Sequence, residues 1–359
     1  MKFELAGAPH MPPTVTVADT MRQVLYALVP AIIAHVWFFG YGILFQIALA
    51  VAFAVGFEAI MLRLRDRPVK LFLGDCSAVV TAVLFALCMP PLAPWWITAV
   101  GMLFAIVIAK HLYGGLGYNL FNPAMVGFAA VIIAFPLELS QWLAPRQLSA
   151  GLPGLMETAQ AILTGSLPAT TSWDAITLAT PLDQIRTGVQ QGLSLSEIRT
   201  DPVFGDFGGV GWEWIANFYA LGGIYLVWKR VITWHVPLAV IATTTILSTP
   251  LWMIGPDIHP SPPEHLFAGA LILAAFFIAT DPVSGPATVR GKLLFGAGVA
   301  ILTLAIRRWG GYPDAVAFAV LLMNMAAPLI DQFTRPRTYG HGSSSRLPPK
   351  KPNRSGPGI

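Results

Sequence analysis

The residues with chemistry to offer are few and lie in three places. Asp174 to Arg186 reads DAITLATPLDQIR, with hydroxyls at Thr177 and Thr180 and carboxyls at Asp174 and Asp183. A threonine hydroxyl is a weak nucleophile until a neighbouring group or a second enzyme activates it. From the residues alone, this stretch is a helix cap and surface turn, or an acceptor for a covalently held group. Gly114 to Gly127 reads GGLGYNLFNPAMVG, in which Asn119 and Asn122 flank a break set by glycines and Pro123. Thr280 to Pro286 reads TDPVSGP and places Asp281 just after a nearly unbroken apolar run. A carboxylate or amide at membrane depth needs a partner, water or a ligand. Asn119, Asn122 and Asp281 are therefore either local caps or the polar contacts of a bound cofactor or ion.

These sites sit among elements that are greasy throughout. Of 359 residues, 55% are hydrophobic and 11% charged, with mean hydropathy +0.65. A soluble domain carries roughly 25% charged residues, so the chain is expected to be a polytopic, all-α membrane protein. Ten segments approach the length of about 20 residues that a spanning helix needs: 22–40, 42–62, 72–91, 94–111, 118–137, 211–228, 234–253, 264–280, 289–306 and 312–331. The first segment is expected to act as the insertion signal, because residues 1–21 contain no apolar core.

Charge orients them. With residues 1–21 inside, the connections rich in Lys and Arg are RLRDRPVK (63–70), the Lys110–His111 corner, Lys229–Arg230, the Arg290–Lys292 corner and the tail. Of 22 Lys and Arg residues, only Arg146, Arg186, Arg199, Arg307 and Arg308 fall on the other side. Positive loops are retained in the cytoplasm, so both termini are expected there and the 138–210 loop is expected in the periplasm. The same retention explains a net charge of +4 better than nucleic-acid binding does. Five segments, a long loop and five more suggest a duplication whose halves, 22–137 and 211–331, are inverted. GDCSAVVTAVLFALCMPP is echoed weakly by HVPLAVIATTTILSTPLW, and the polar break GYNLFNPAMVGF by IATDPVSGPATVRG. Inverted repeats with broken helices place binding sites at their interface. Residues 332–359 read as a disordered basic tail.

Other polar residues have plainer expectations. Asp75 is as suited to capping as to function, Glu58 should pair with Arg63 or Arg65, and Glu264 should be a water-exposed acid at a helix start. His35 should be a buried hydrogen-bonding residue. Neither the seven histidines nor Cys76 and Cys88 form a metal or haem pattern, so no metal is expected.

Taken together, GDCSAVVTAVLFAL, GGLGYNLFNPAMVGF, DAITLATPLDQIR and ATDPVSGPATVRGKLLFG resemble RnfD, a membrane component of the bacterial Rnf ion-translocating oxidoreductase complex. That family is related to NqrB of the sodium-pumping NADH:quinone reductase, and the likeness extends over nearly all the membrane portion. The resemblance implies a channel-like, urea-transporter-like fold of ten helices in two inverted repeats. It implies FMN joined through a phosphoester to a threonine by a separate flavin transferase, at a motif that ends in Ala-Thr after an earlier Asp. Matched onto this chain, the acid is Asp174, the pair is Ala179 and Thr180, and Thr180 is the attachment residue. Thr177 stands where serine is frequent and Leu178 where glycine is. A second, non-covalent flavin (riboflavin or FMN) is implied near Asn119, Asn122 and Asp281. The implied activity is electron transfer between NADH and ferredoxin coupled to Na⁺ or H⁺ movement. It would be exercised within an inner-membrane complex of several subunits, with no residue of this chain acting as a catalytic group. No GxGxxG after a strand and no four-cysteine cluster motif is present, so NADH and iron–sulfur centres belong to partners. A solute channel, transporter or scaffold of the same fold would lack the covalent flavin.

Overall fold

The computed structural model describes residues 15–149, 151–167, 172–312 and 314–336. Most of residues 1–21 and of the 332–359 tail lie outside them. The described chain is helical apart from isolated bridges. Five helices are long and apolar enough to cross a membrane: Val17–Phe39, Gly42–Leu64, His235–Ile254, Val289–Trp309 and Val316–Thr334.

Helix α1 (Val17–Phe39) starts at a capping box, in which Thr16 Oγ1 accepts from the Asp19 amide at 3.1 Å and Asp19 accepts from the Thr16 amide. It stops at Gly40, and α2 (Gly42–Leu64) follows at once. The next three expected segments are shorter or distorted. Helix α3 (Ser77–Ala86) is preceded by a left-handed Cys76, and Asp75 caps it by accepting from the amide and hydroxyl of Ser77 at 2.7 and 2.6 Å. Helix α4 (Trp95–Met102) continues as a π-helix over Leu103–His111. The glycines of GGLG hold positive φ at 114, 115 and 117, a turn that side chains with a Cβ resist. Helix α5 (Pro123–Ala134) then begins with proline at its first position, as the missing N–H permits.

In the long loop, a helix at Leu155–Thr164 is followed by α6 (Pro181–Gln190). The chain re-enters through α7 (Trp212–Trp228), α8 (His235–Ile254) and a broken stretch made of α9 (Pro262–Phe267), α10 (Leu271–Leu273) and a π-turn at Ala274–Ile278. Helices α11 (Val289–Trp309) and α12 (Val316–Thr334) close the fold. A helix thus forms within every expected segment, and five of them have full spanning length.

Packing is organised around close approaches. Helices α1 and α7 lie against each other, α2 against α3 and α4, α8 against α11, α11 against α12, and α5 against α12. A Cβ on Gly222 would sit 2.1 Å from the Ala27 carbonyl oxygen, and one on Gly127 would sit 2.5 Å from that of Gly101. Small residues that let backbones touch are the usual means of joining helices in lipid, where apolar surface alone gives no preference.

Two polar expectations are corrected. Glu58 does not pair with Arg63 or Arg65. It receives Lys110 Nζ at 2.7 and 2.9 Å, and the ammonium also donates to Ser77 Oγ at 2.8 Å. The Lys110–His111 corner is therefore no exposed turn: Lys110 is 2% and His111 4% exposed, inside the π-helix. Glu264 is likewise buried, at 7%, and takes a two-point contact from Arg199 at 2.7 and 2.8 Å. In both cases the partner comes from a distant part of the chain, which local spacing does not reveal.

Candidate functional site

Residues 142–144 and 176–178 run side by side, with the Ala144 amide donating to the Ile176 carbonyl and the Leu178 amide to that of Trp142. This clamp ends at Leu178 and presents Ala179 and Thr180 as the chain turns into α6. Thr180 is the N-cap: its Oγ1 accepts from the Asp183 amide at 3.3 Å and donates to Asp183 Oδ2 at 3.2 Å. Burial pushes the Asp183 carboxyl up from its ordinary value, against the opposing pull of the Thr180 hydroxyl and Arg186. Thr177 differs, because its hydroxyl donates to the Trp173 carbonyl at 2.8 Å and is consumed there. Ala179 and Asp174 are exposed, and Ser172, the N-cap of the short turn Trp173–Ile176, makes no side-chain cap bond.

Thr180 borders a cavity of about 270 Å³ that reaches into the helices. Its walls include Trp142, Trp212, Tyr219 and Tyr312, with Asp183 and Arg186 near the threonine. The Arg186 Nε is buried and has no hydrogen-bond partner among the described residues. Deeper in, His35 Nε2 and the Tyr219 hydroxyl lie 3.0 Å apart, so His35 is the buried hydrogen-bonding residue expected. The sequence reading missed this aromatic lining, since its members come from three separate parts of the chain. Tryptophans flanking the loop were the only available signal.

A second cavity, about 250 Å³, brings Asn119, Asn122 and Asp281 together with Lys110, Thr280 and Lys292. All three expected contacts already hold backbone. Asn122 caps α5 by accepting from the Met125 amide at 3.2 Å, and donates to the Ile278 carbonyl at 3.3 Å. Asp281 accepts from the Val283 amide at 3.2 Å and the Ser284 hydroxyl at 2.7 Å. Asn324, which the sequence reading did not single out, completes the network. It accepts from the Asn122 amide and donates to the Ser284 carbonyl, both at 3.1 Å. Asn119 donates to the Phe121 carbonyl at 3.1 Å, and its own oxygen accepts nothing from the described residues. The two breaks are thus tied together across the molecule.

Only a thin wall parts the cavities. Asn122 to Ala124 and Phe276, Phe277 and Ala279 face the second, while Met125 and Ile278 face the first. The Asn122–Ile278 hydrogen bond lies in this wall.

A multi-pass helical membrane protein with two internal cavities at helix breaks is the class defined by this fold. Residues 4–340 match the NQR2, RnfD, RnfE family. The chain is 47% identical over 348 residues to the D-type component of the ion-translocating oxidoreductase complex of Vibrio cholerae serotype O1, covering 95% of this chain and all of that one. The Aeromonas hydrophila protein of the same name is 47% identical, covering 94% and 99%, and that of Shewanella denitrificans 45%, covering 96% and 100%. The chain belongs to the NQR2, RnfD, RnfE family of ion-translocating oxidoreductase subunits.

Proposed function

We propose that the chain is the flavin-carrying membrane subunit of an Rnf-type complex in the bacterial inner membrane, with FMN esterified to Thr180 and a second, non-covalent flavin in the other cavity. The observation that carries this is the position of Thr180. Its hydroxyl borders an aromatic cavity and donates to a carboxylate, that of Asp183, which can take its proton, whereas that of Thr177 lies outside the cavity lining and donates to a backbone carbonyl. A phosphoester there meets the amino end of α6, where unpaired backbone N–H groups favour an anion, and the unpartnered Arg186 Nε nearby. The tryptophans and tyrosines supply flat walls for a ring system. In the other cavity, Asn119 has an amide oxygen to offer, while Asn122 and Asp281 fix the shape of the breaks.

A bound isoalloxazine supplies one- and two-electron chemistry, and the protein supplies placement and surroundings. This chain's own part is to hold two such sites on either side of one wall, with water largely excluded by aromatic and aliphatic packing. Electrons passing between NADH and ferredoxin through neighbouring subunits would cross that wall, coupled to Na⁺ or H⁺ movement. Maturation of the chain is completed by a flavin transferase.

The finer architecture belongs to the same proposal. Residues 22–137 and 211–331 form two inverted five-helix repeats around the 138–210 loop, with both termini in the cytoplasm. Packing supports this, because α2 on α4 and α4 on α5 in the first half match α8 on α11 and α11 on α12 in the second. By chain order the partner of 77–86 is then the broken stretch 262–278, not the 234–253 segment whose sequence echoes it.

Trypsin releases residues 147–186 as one peptide, since no Lys or Arg interrupts it. Made in a cell with the flavin transferase, this peptide is expected to carry the added FMN mass. Thr180→Val should abolish the addition and Thr177→Val should keep it. An unmodified wild-type peptide would sink the assignment.

A further inference from the structure

Three of the five arginines on the disfavoured side of the charge distribution, Arg186, Arg307 and Arg308, gather at one place. They lie at the end of a groove of about 740 Å³ between α6, α8 and α11. Its walls are apolar, and Ile246, Leu247, Leu251, Ile258, Ile301 and Trp309 are exposed there although nothing in the described chain covers them. Such faces on spanning helices meet acyl chains.

The arginine end is built for an anion. The Arg307 side chain is only 5% exposed; it pairs with Asp314 at 3.2 Å and donates to the His265 carbonyl at 2.6 Å, yet its buried Nε has no partner among the described residues. The buried His265 Nδ1, also in the lining, has none either. Arg308 is exposed and meets no carboxylate among the described residues; its guanidinium is aimed by a 2.6 Å contact with His259 Nδ1. Burial and Arg308 together push the His259 imidazole below its ordinary value, so at neutral pH it is an uncharged acceptor and leaves the arginine's charge intact. Glu264, the carboxylate of the lining, is already neutralised by Arg199.

We propose that this groove binds one anionic phospholipid, with an acyl chain along α8 and α11 and the phosphate at Arg307 and Arg308. With the long loop in the periplasm, this is a lipid of the periplasmic leaflet. Positive charge on that side is disfavoured during insertion, and a bound phosphate gives it a partner.

The full-length chain, purified in detergent, is mixed with equal dioleoyl phosphatidylglycerol and dioleoyl phosphatidylcholine and examined by native mass spectrometry. The acyl chains are identical, so any preference reports the headgroup. One phosphatidylglycerol per chain is expected, favoured on the order of tenfold, and excess glycerol 3-phosphate should not displace it. Arg308→Gln should bring the two lipids towards parity. Ala305→Trp, which fills the groove, should remove both adducts while the thermal unfolding of the chain is kept. Equal retention by the wild type, or an unchanged preference in Arg308→Gln, overturns the proposal. Displacement by glycerol 3-phosphate would make this a soluble-anion site, and cross-linking of Ala305→Cys to another protein of the purified complex would make it a protein contact; either overturns it too. The protein for this test is made without the flavin transferase, so failure of the Thr180 assignment leaves the lipid result standing.

Discussion

At the scale of single residues, the charges inside the bundle depend on partners that no local motif announces. Glu58 and Lys110 are each about 2% exposed and hold one another across 52 positions of chain. Each was visible in the sequence as an ionisable group near a segment end. Their pairing was not, because it depends on α2 packing against the π-helix. Removing one partner strands the other, which typically costs about 3–5 kcal/mol, while replacing both is far cheaper. Lys110→Met should therefore lower the thermal unfolding temperature of the solubilised protein sharply, and Glu58→Gln with Lys110→Met should recover most of the loss. If the double variant is as unstable as the single, the pair is not what holds this corner. The cap at the proposed attachment residue was more legible: Thr180 and the proline that starts α6 are adjacent in sequence. The distinction between its hydroxyl and that of Thr177 needed the turn itself.

At the scale of elements, apolar length located the helices and proline or glycine located their breaks. The sequence could not show that 103–111 and 274–278 wind as π-helices. Apolar runs look the same at either pitch, and the wider turn is set by what packs against it. Nor did it show which glycines carry contacts. Gly222 touches the backbone of α1, whereas Gly56 in α2 faces open space. Gly222→Ala should push α7 off α1, at about 1–3 kcal/mol. Gly56→Ala removes only backbone freedom and should be neutral or gain up to about 1 kcal/mol. Comparing the two by thermal unfolding in one detergent separates packing from propensity. Equal effects would mean that α1 and α7 approach less closely than Gly222 and Ala27 require.

At the scale of the whole molecule, the proposed cofactor site and the proposed lipid groove both depend on which face of the membrane Thr180 occupies. The asymmetry of Lys and Arg decides this only statistically, and one residue counted towards it acts otherwise: Lys110 is neutralised inside the bundle. The remaining bias still lies in exposed connections such as 63–70, where residues 63–68 are all exposed. It should therefore survive direct measurement. Ser196 in the long loop and Arg67 in that connection are both exposed, so a cysteine at either should react once reached. A membrane-impermeant maleimide added to intact spheroplasts is expected to label Ser196→Cys at once and Arg67→Cys only after lysis. The unsubstituted chain serves as blank for Cys76 and Cys88. The reverse order would put Thr180 in the cytoplasm and the arginine groove in the opposite leaflet.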